Sequence, residues 1–199
     1  MKTTLLAALA LLLGLSQVSL AQSIRLGTPS YGGSGCPAGT ASVSVSPDGS
    51  TITILFDQFT AESGGHSGKQ VDRKSCNLSI PVEVPQGYSV AIFQVDYRGF
   101  NSLPWGARSQ FEAEYFWAGS RGRRVSRSFF GPLNDNFFIR DELLARTLVW
   151  TPCGKSVNLR ANVAIMNQTN NFMEQTLTAV DSADISSELV YHLQWRRCY

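Results

Sequence analysis

Histidine is nearly absent: the chain has only His66 and His192 among 199 residues. A histidine-rich metal centre is excluded by count. No two cysteines stand at the short C-x2-C spacing that zinc sites use, because Cys36, Cys76, Cys153 and Cys198 are scattered along the chain. There is no Gly-x-Ser-x-Gly elbow to carry a serine nucleophile. Charge of either sign is not in excess: 17 Lys and Arg face 15 Asp and Glu. That balance argues against nucleic acid as a partner and against steering toward anionic membranes. Beyond the first turns of the chain no long apolar run occurs, so no transmembrane segment is expected, and no sustained 3.6-residue period supports a helical domain.

What is present begins with an N-terminal leader. Lys2 supplies a positive start, Leu5 to Leu15 is apolar apart from Gly14, and Ser19-Leu20-Ala21 offers the small residues that a signal peptidase reads. Residues 1–21 are expected to be a signal peptide, cleaved before Gln22, and residues 22–199 a single β domain secreted to the extracellular space. A mature N-terminal histidine, as an oxidative copper site needs, is then excluded. The oxidising compartment favours disulfides. Four cysteines allow three pairings. The one local to each half, Cys36–Cys76 with Cys153–Cys198, closes two loops of about 40–45 residues, each contributing roughly 4 kcal/mol in the chain-entropy model.

The remaining sequence alternates with the period of a strand. Val43 and Val45, then Ile52, Ile54 and Phe56, flank Pro47-Asp48-Gly49-Ser50, a hairpin signal. Leu78, Ile80 and Val82 follow. Tyr88 to Tyr97 is apolar on both faces, with Val90 and Ile92 on one and Ala91, Phe93 and Val95 on the other, as in a covered central strand. Phe111, Ala113, Tyr115 and Trp117 make a further stripe, as do Leu159 to Ile165 and Leu189 to Trp195; Ser126 to Phe130 and Gln175 to Val180 are shorter candidates. Only Asp141 to Arg146 suggests a helical turn, and Ala61 to Lys74 reads as a mobile loop. The expected fold is an all-β antiparallel β-sandwich, with a closed β-barrel as the alternative.

Candidate chemistry is sparse. Glu112 with Glu114, and Asp181 with Asp184, are carboxylate pairs of the kind a glycoside hydrolase uses. Asn134-Asp135-Asn136 with Asp141 offers oxygen ligands for Ca2+, though without EF-hand spacing; turn capping is the simpler reading. Arg121, Arg123, Arg124 and Arg127 form a basic run, read as a hairpin tip, an acidic-polysaccharide contact or a processing site at Arg123-Arg124. His66 sits among glycines and His192 on a strand, neither with a triad partner in view. Asn77-Leu78-Ser79 and Asn167-Gln168-Thr169 are glycosylation sequons, with Asn77 the less favourable because it adjoins a cysteine. Asp96, Tyr97, Arg98, Phe100 and Trp105 concentrate aromatic and charged side chains where a strand runs out into a loop, and they are the expected binding surface. No catalytic residue, metal or cofactor is assigned.

Several segments carry a resemblance: Gly35-Cys36-Pro37, Ser75-Cys76-Asn77, VDYRGF from Val95, GPLNDNF from Gly131, Trp150-Thr-Pro-Cys153-Gly, LRANVAIMNQT from Leu159, Asp181-Ser-Ala-Asp184 and Tyr191-His-Leu-Gln-Trp195. In order and spacing they resemble a secreted family of fungi and some bacteria known as domain of unknown function 4360. The resemblance implies a small secreted β-rich domain with paired cysteines and brings no catalytic or ligand residue with it. The leading expectation is a non-catalytic binding or cell-surface module for a polysaccharide, a cell-wall component or a secreted protein. A carboxylate-dependent secreted hydrolase is one alternative. A secreted effector or inhibitor of a protein partner, acting through Ala61–Lys74, is the other.

Overall fold

The computed structural model describes residues 24–180 and 188–198. The expected leader and the Asp181–Asp184 pair lie outside those residues. Two antiparallel sheets face each other, and neither closes into a barrel. The first sheet runs β1 (Arg25–Leu26), β6 (Val71–Glu83), β11 (Val157–Gln168), β8 (Arg108–Trp117) and β9 (Arg123–Phe130), with β2 (Ser30–Gly32) also on β6. The second runs β3 (Ala41–Val45), β4 (Thr51–Phe56), β13 (Glu188–Arg197), β7 (Tyr88–Leu103), β12 (Thr176–Ala179) and β5 (Thr60–Ser63). Strand β10 (Leu133–Glu142) covers the other side of β7.

Period-2 alternation makes this architecture. On β4 the inward Ile52, Ile54 and Phe56 are fully buried, and on β8 Phe111, Ala113, Tyr115 and Trp117 point inward. Rings meet between the sheets: Tyr97 lies 5.1 Å from Phe111, and Tyr115 lies 5.8 Å from Tyr191, edge to face. Each fully buried large apolar side chain contributes about 1.5–3 kcal/mol. The β3–β4 turn is held by Asp48, whose carboxylate accepts from the Ser46 hydroxyl and from the Ser50 amide and hydroxyl; these bonds lower its pKa to about 2. Disulfides join Cys36 to Cys76 and Cys153 to Cys198. The first ties the β2 segment to β6 in the core, and the second ties the end of β13 to the turn after Trp150.

Strand β7 departs from the simple alternation. Gln94 pairs with His192 and Ile92 with Leu193, leaving Phe93 without a partner on β13. This β-bulge reverses the parity of the strand. Val90 and Ile92 face the core before it, and Val95 and Tyr97 after it, while Phe93 is expelled to the surface beside His192. The expected grouping of Ala91, Phe93 and Val95 on one face is corrected accordingly.

Three other expectations change. Strand β10 occupies the segment assigned to turns and a helical start, and only Ala145–Thr147 forms a short 3-10 turn. The supposed loop from Ala61 to Lys74 is half strand: β5 and β6 take its ends, and only the stretch between Ser63 and Val71 is irregular. In that stretch Gly64 and Gly65 adopt positive φ, and Asp72, at the start of β6, is anchored by Lys69 at 2.8 Å and by the Glu62 amide at 3.1 Å. The basic run straddles the end of the β8–β9 hairpin: Arg121 is in the connection, whereas Arg123, Arg124 and Arg127 lie within β9.

The core changes character toward one end. Ser63, Asn101, Ser109, Asn167, Thr169, Thr176 and Thr178 are all buried there. Asn101 Oδ1 accepts from Ser109 at 2.8 Å and from Thr178 at 2.7 Å, binding β7 to β8 and β12. Asn167 Nδ2 donates to the Ala61 carbonyl at 2.7 Å, binding β11 to β5. Directional bonds thus hold the two sheets together where apolar packing thins, and they give the loops beyond a firm base.

Candidate functional site

Three connections meet at that polar end. The first is the β7–β8 turn, Pro104-Trp105-Gly106-Ala107, closed by the Ala107 amide donating to the Pro104 carbonyl at 3.1 Å. Gly106 has φ +77, as the third position of such a turn requires, and a Cβ there would also strike the Asn170 side chain. Trp105 stands at the corner and is 76% exposed. The second is the β9–β10 connection, where the Gly131 amide donates to the Ala107 carbonyl at 2.9 Å. Gly131 packs so closely on the Pro104 carbonyl that a Cβ could not be accommodated. The third is the segment from Thr169 to Gln175, pinned by the Gly65 amide on the Phe172 carbonyl at 3.0 Å and by the Met173 amide on Asn171 Oδ1 at 3.0 Å.

Between them lies an open groove of about 550 Å³. Trp105, Pro104, Pro132 and Leu133 give it apolar walls, and Ser102, Asn134, Glu174 and Gln175 give it hydroxyl, amide and carboxylate groups. Phe130, Phe172 and Met173, from the same connections, are also more than half exposed. Large exposed apolar side chains gathered at one end of a protein mark a contact surface. An exposed indole on an anchored turn, beside hydrogen-bonding side chains, can stack on the C–H face of a sugar ring while the polar groups take its hydroxyls.

The residues expected to form one surface are divided among three places. Trp105 is on the groove. Tyr97 is fully buried between the sheets, in contact with Phe111, and burial raises its hydroxyl pKa well above the ordinary tyrosine value; it is no surface residue. Asp96, Arg98 and Phe100 face outward on the second sheet, after the bulge. There Asp96 accepts from Arg140 at 2.8 and 3.1 Å and lies 3.1 Å from His192 Nε2, and Arg98 and Arg140 both lie against the Phe138 ring. Burial alone would raise the Asp96 pKa, but the bonds from Arg140 and His192 outweigh it and the net shift is downward. His192 is thus a hydrogen-bonded sheet residue, and His66 is exposed on a single 3-10 turn.

Glu112 and Glu114 share the outer face of the first sheet, about 6.6 Å apart along the strand. They line a shallow depression of about 330 Å³. Arg73 contacts Glu112 at 3.3 Å, and Arg124 approaches Glu114 at 3.6 Å. The Asn134 to Asp141 oxygens do not converge: Asp135 accepts from the adjacent Asn136 amide, and Asp141 turns inward to Tyr115 and Arg123. Among the described residues no three His, Cys, Asp or Glu side chains are placed to hold a metal ion.

The sequons exchange ranks. Asn77 is exposed on the outer face of the first sheet, whereas Asn167 is fully buried. Sequence reasoning missed Asn134, Glu174 and Gln175 as groove residues. The only signal for them was the density of Gly, Pro and Asn around Trp105, Pro132 and Asn170, which marks connections without saying that they meet.

The family model described as Domain of unknown function (DUF4360) matches residues 22–198. An uncharacterized secreted protein of Arthroderma benhamiae is 31% identical over 169 residues, which are 84% of this chain and 69% of that protein. Two solved structures overlap loosely. One is the carbohydrate-binding module TmCBM61 in complex with β-1,4-galactotriose, at a TM-score of 0.32 and 11% identity over 85% of this chain and 88% of that one. The other is a family 11 carbohydrate-binding module from Clostridium thermocellum in complex with a β-1,3-1,4-mixed-linked tetrasaccharide, at 0.18 and 7% over 82% and 91%. Overlaps this loose do not establish a shared fold.

Proposed function

The chain belongs to the DUF4360 family, and we propose that it is a secreted, non-catalytic module that holds a neutral polysaccharide in the Trp105 groove. The observation that carries this reading is the exposure of Trp105 on a turn that backbone bonds hold in place. Leaving an indole in water forgoes about 1.5–3 kcal/mol of burial. The turn is nevertheless fixed from below by the Gly131 amide and from the side by Asn170. The groove pairs this ring with Asn134, Glu174 and Gln175, whose donors and acceptors suit hydroxyl groups. Secretion is supported by the leader-like N-terminus, by two disulfides that need an oxidising compartment, and by a relative described as secreted.

A hydrolase built on Glu112 and Glu114 is less well supported. Arg73 is paired with the first and Arg124 stands beside the second, so both carboxylates face a guanidinium across the depression. The test is retention of the purified protein on insoluble β-glucan, chitin, mannan and cellulose. We expect retention on at least one, lost in Trp105→Ala and weakened in Gln175→Ala. No retention on any of them, or retention that Trp105→Ala leaves intact, overturns the proposal, as does capture of a secreted protein through the same groove with no saccharide bound.

A further inference from the structure

We infer that Asn77, and not Asn167, receives an N-linked oligosaccharide when the chain passes through a eukaryotic secretory pathway, and that the first sugars of that oligosaccharide lie in the depression on the outer face of the first sheet. Both sequons satisfy the N-x-S/T pattern, and their structural settings are opposite. Asn167 is fully buried, its Nδ2 donates to the Ala61 carbonyl at 2.7 Å, and Thr169 is 1% exposed with its hydroxyl bonded to the Asn171 backbone. A sugar on Asn167 Nδ2 would have to occupy the space between β11 and β5, which is close-packed.

Asn77 stands in the open. Its partner on β2 is Gly32, where even a Cβ would meet nothing within 4 Å. Ser79, the hydroxyl residue of the sequon, follows two positions on and shares the outer face. Modification joins the Asn77 side-chain nitrogen to the anomeric carbon of a lipid diphosphate-linked oligosaccharide. A C–N bond forms, the C–O bond to the diphosphate breaks, one amide proton goes to the host transferase's base, and the lipid diphosphate leaves.

The depression begins at Asn77 itself. Ser75 and Ala164 keep its floor low, while Asn162, Glu114 and Arg124 stand along the strands opposite. Its volume of about 330 Å³ falls in the range of small-ligand sites, about 300–1,000 Å³. The polar groups around Glu114 are loosely engaged with one another. Asn162 Nδ2 is 3.4 Å from Glu114, and Arg124 is 3.6 Å from the same carboxylate with its side chain 74% exposed. Contacts this long leave donors and acceptors for sugar hydroxyls and an acetamide. This inference does not depend on the groove at Trp105. It leaves that groove as the surface for a separate saccharide, because the sheet face is filled by the chain's own glycan.

The wild-type protein secreted from yeast tests both halves. Enzymatic removal of N-glycans in 18O-labelled water marks each formerly occupied asparagine as labelled aspartate. We expect the label at Asn77 alone, and its loss in Ser79→Ala. A label at Asn167, or none at Asn77, overturns the assignment. For the packing, the rate of glycan release from native protein is compared with that from denatured protein. We expect native release to be at least tenfold slower in wild type and markedly faster in Arg124→Ala. Equal native and denatured rates in wild type overturn the placement of the sugars.

Discussion

Arg123 grips Asp141 across the open side of the sandwich, its Nε and Nη2 donating to the two carboxylate oxygens at 3.0 and 2.8 Å. Arg123 belongs to the edge strand of one sheet and Asp141 to the edge strand of the other, and no ladder joins these strands. Tyr115 adds a third bond at 2.7 Å. Burial raises the Asp141 pKa, but the bonds from Arg123 and Tyr115 outweigh it and hold it below the ordinary value. Asp141→Asn removes the charge that all three bonds use, and we expect a loss of about 2 kcal/mol of stability, since bonds to charged groups are worth ~1.5–3 kcal/mol each and the Arg123 end is half in water. Urea unfolding of the two proteins measures it.

Asp72, Asp96 and Asp141 all have folded-state pKa values below the unfolded one, despite burial. The sign follows: their contribution is fully present above an unfolded value of about 3.9 and is lost as pH falls through the lower folded values. Melting temperature should be flat with respect to these groups from about pH 5 to 7 and fall steadily below about pH 4. Asp96→Asn and Asp141→Asn should each make that acid slope shallower. A melting profile that already declines from pH 7 toward 5 would point to other groups.

Gly131→Ala tests whether the Trp105 turn must be held in place. An added methyl at Gly131 would press on the Pro104 carbonyl, one residue before the indole. We expect polysaccharide retention to weaken about tenfold, equivalent to 1.4 kcal/mol. By contrast, Trp105→Ala should change stability by no more than about 0.5 kcal/mol, because the side chain is 76% exposed. Calorimetric unfolding beside the retention assay separates the two effects.

Asn167→Asp places a carboxylate where the neutral amide now donates to Ala61. The donor is lost, and the new charge stands across the β6–β11 ladder from the Asp72 carboxylate. The cost should exceed about 2 kcal/mol at pH 7 and shrink as the carboxyl is protonated. Unfolding at pH 7 and pH 4.5, with the wild type as reference, gives the difference.

The two disulfides should answer reductant in order. Cys36 and Cys76 are fully buried, whereas Cys153 is exposed and Cys198 half-buried. Mild thiol treatment of the folded protein, followed by alkylation and peptide mapping, should label Cys153 and Cys198 well before Cys36 and Cys76. Simultaneous labelling of all four would mean that reduction follows global unfolding.

Much of the fold could be read from the chain because β4, β8, β11 and β13 alternate without interruption, and a period of two has only one inward face. Strand β7 could not be read so simply. Phe93 is apolar and falls on an alternating position, and only its lack of a partner on β13 reveals that the strand changes parity there. That shift is why Tyr97 proved to be core while Asp96 and Arg98 face outward. Strand β10 was hidden by its own composition: it opens on Asn134-Asp135-Asn136, which favours turns, and its inward position at Asp141 carries a carboxylate instead of an apolar group. Similarly, the polar end of the core looks like surface in the sequence, so the sequence alone does not separate buried Asn167 from exposed Asn77. Trp105 was legible as an aromatic in a loop. Its companions Asn134, Glu174 and Gln175 were not, because they come from parts of the chain far apart in sequence: Asn134 from the start of β10, paired with Ser102, and Glu174 and Gln175 from the segment before β12.

Among the described residues β9 pairs with β8 alone, which leaves its other border open. A strand with unpaired amides and carbonyls invites a second copy to add to it and begin a fibril. Here that border carries Arg123, Arg124 and Arg127 within a few residues, all largely exposed. Two copies meeting edge to edge would bring opposing rows of guanidinium groups together, so Arg123, which braces the sandwich, acts with Arg124 and Arg127 to discourage it from stacking upon itself.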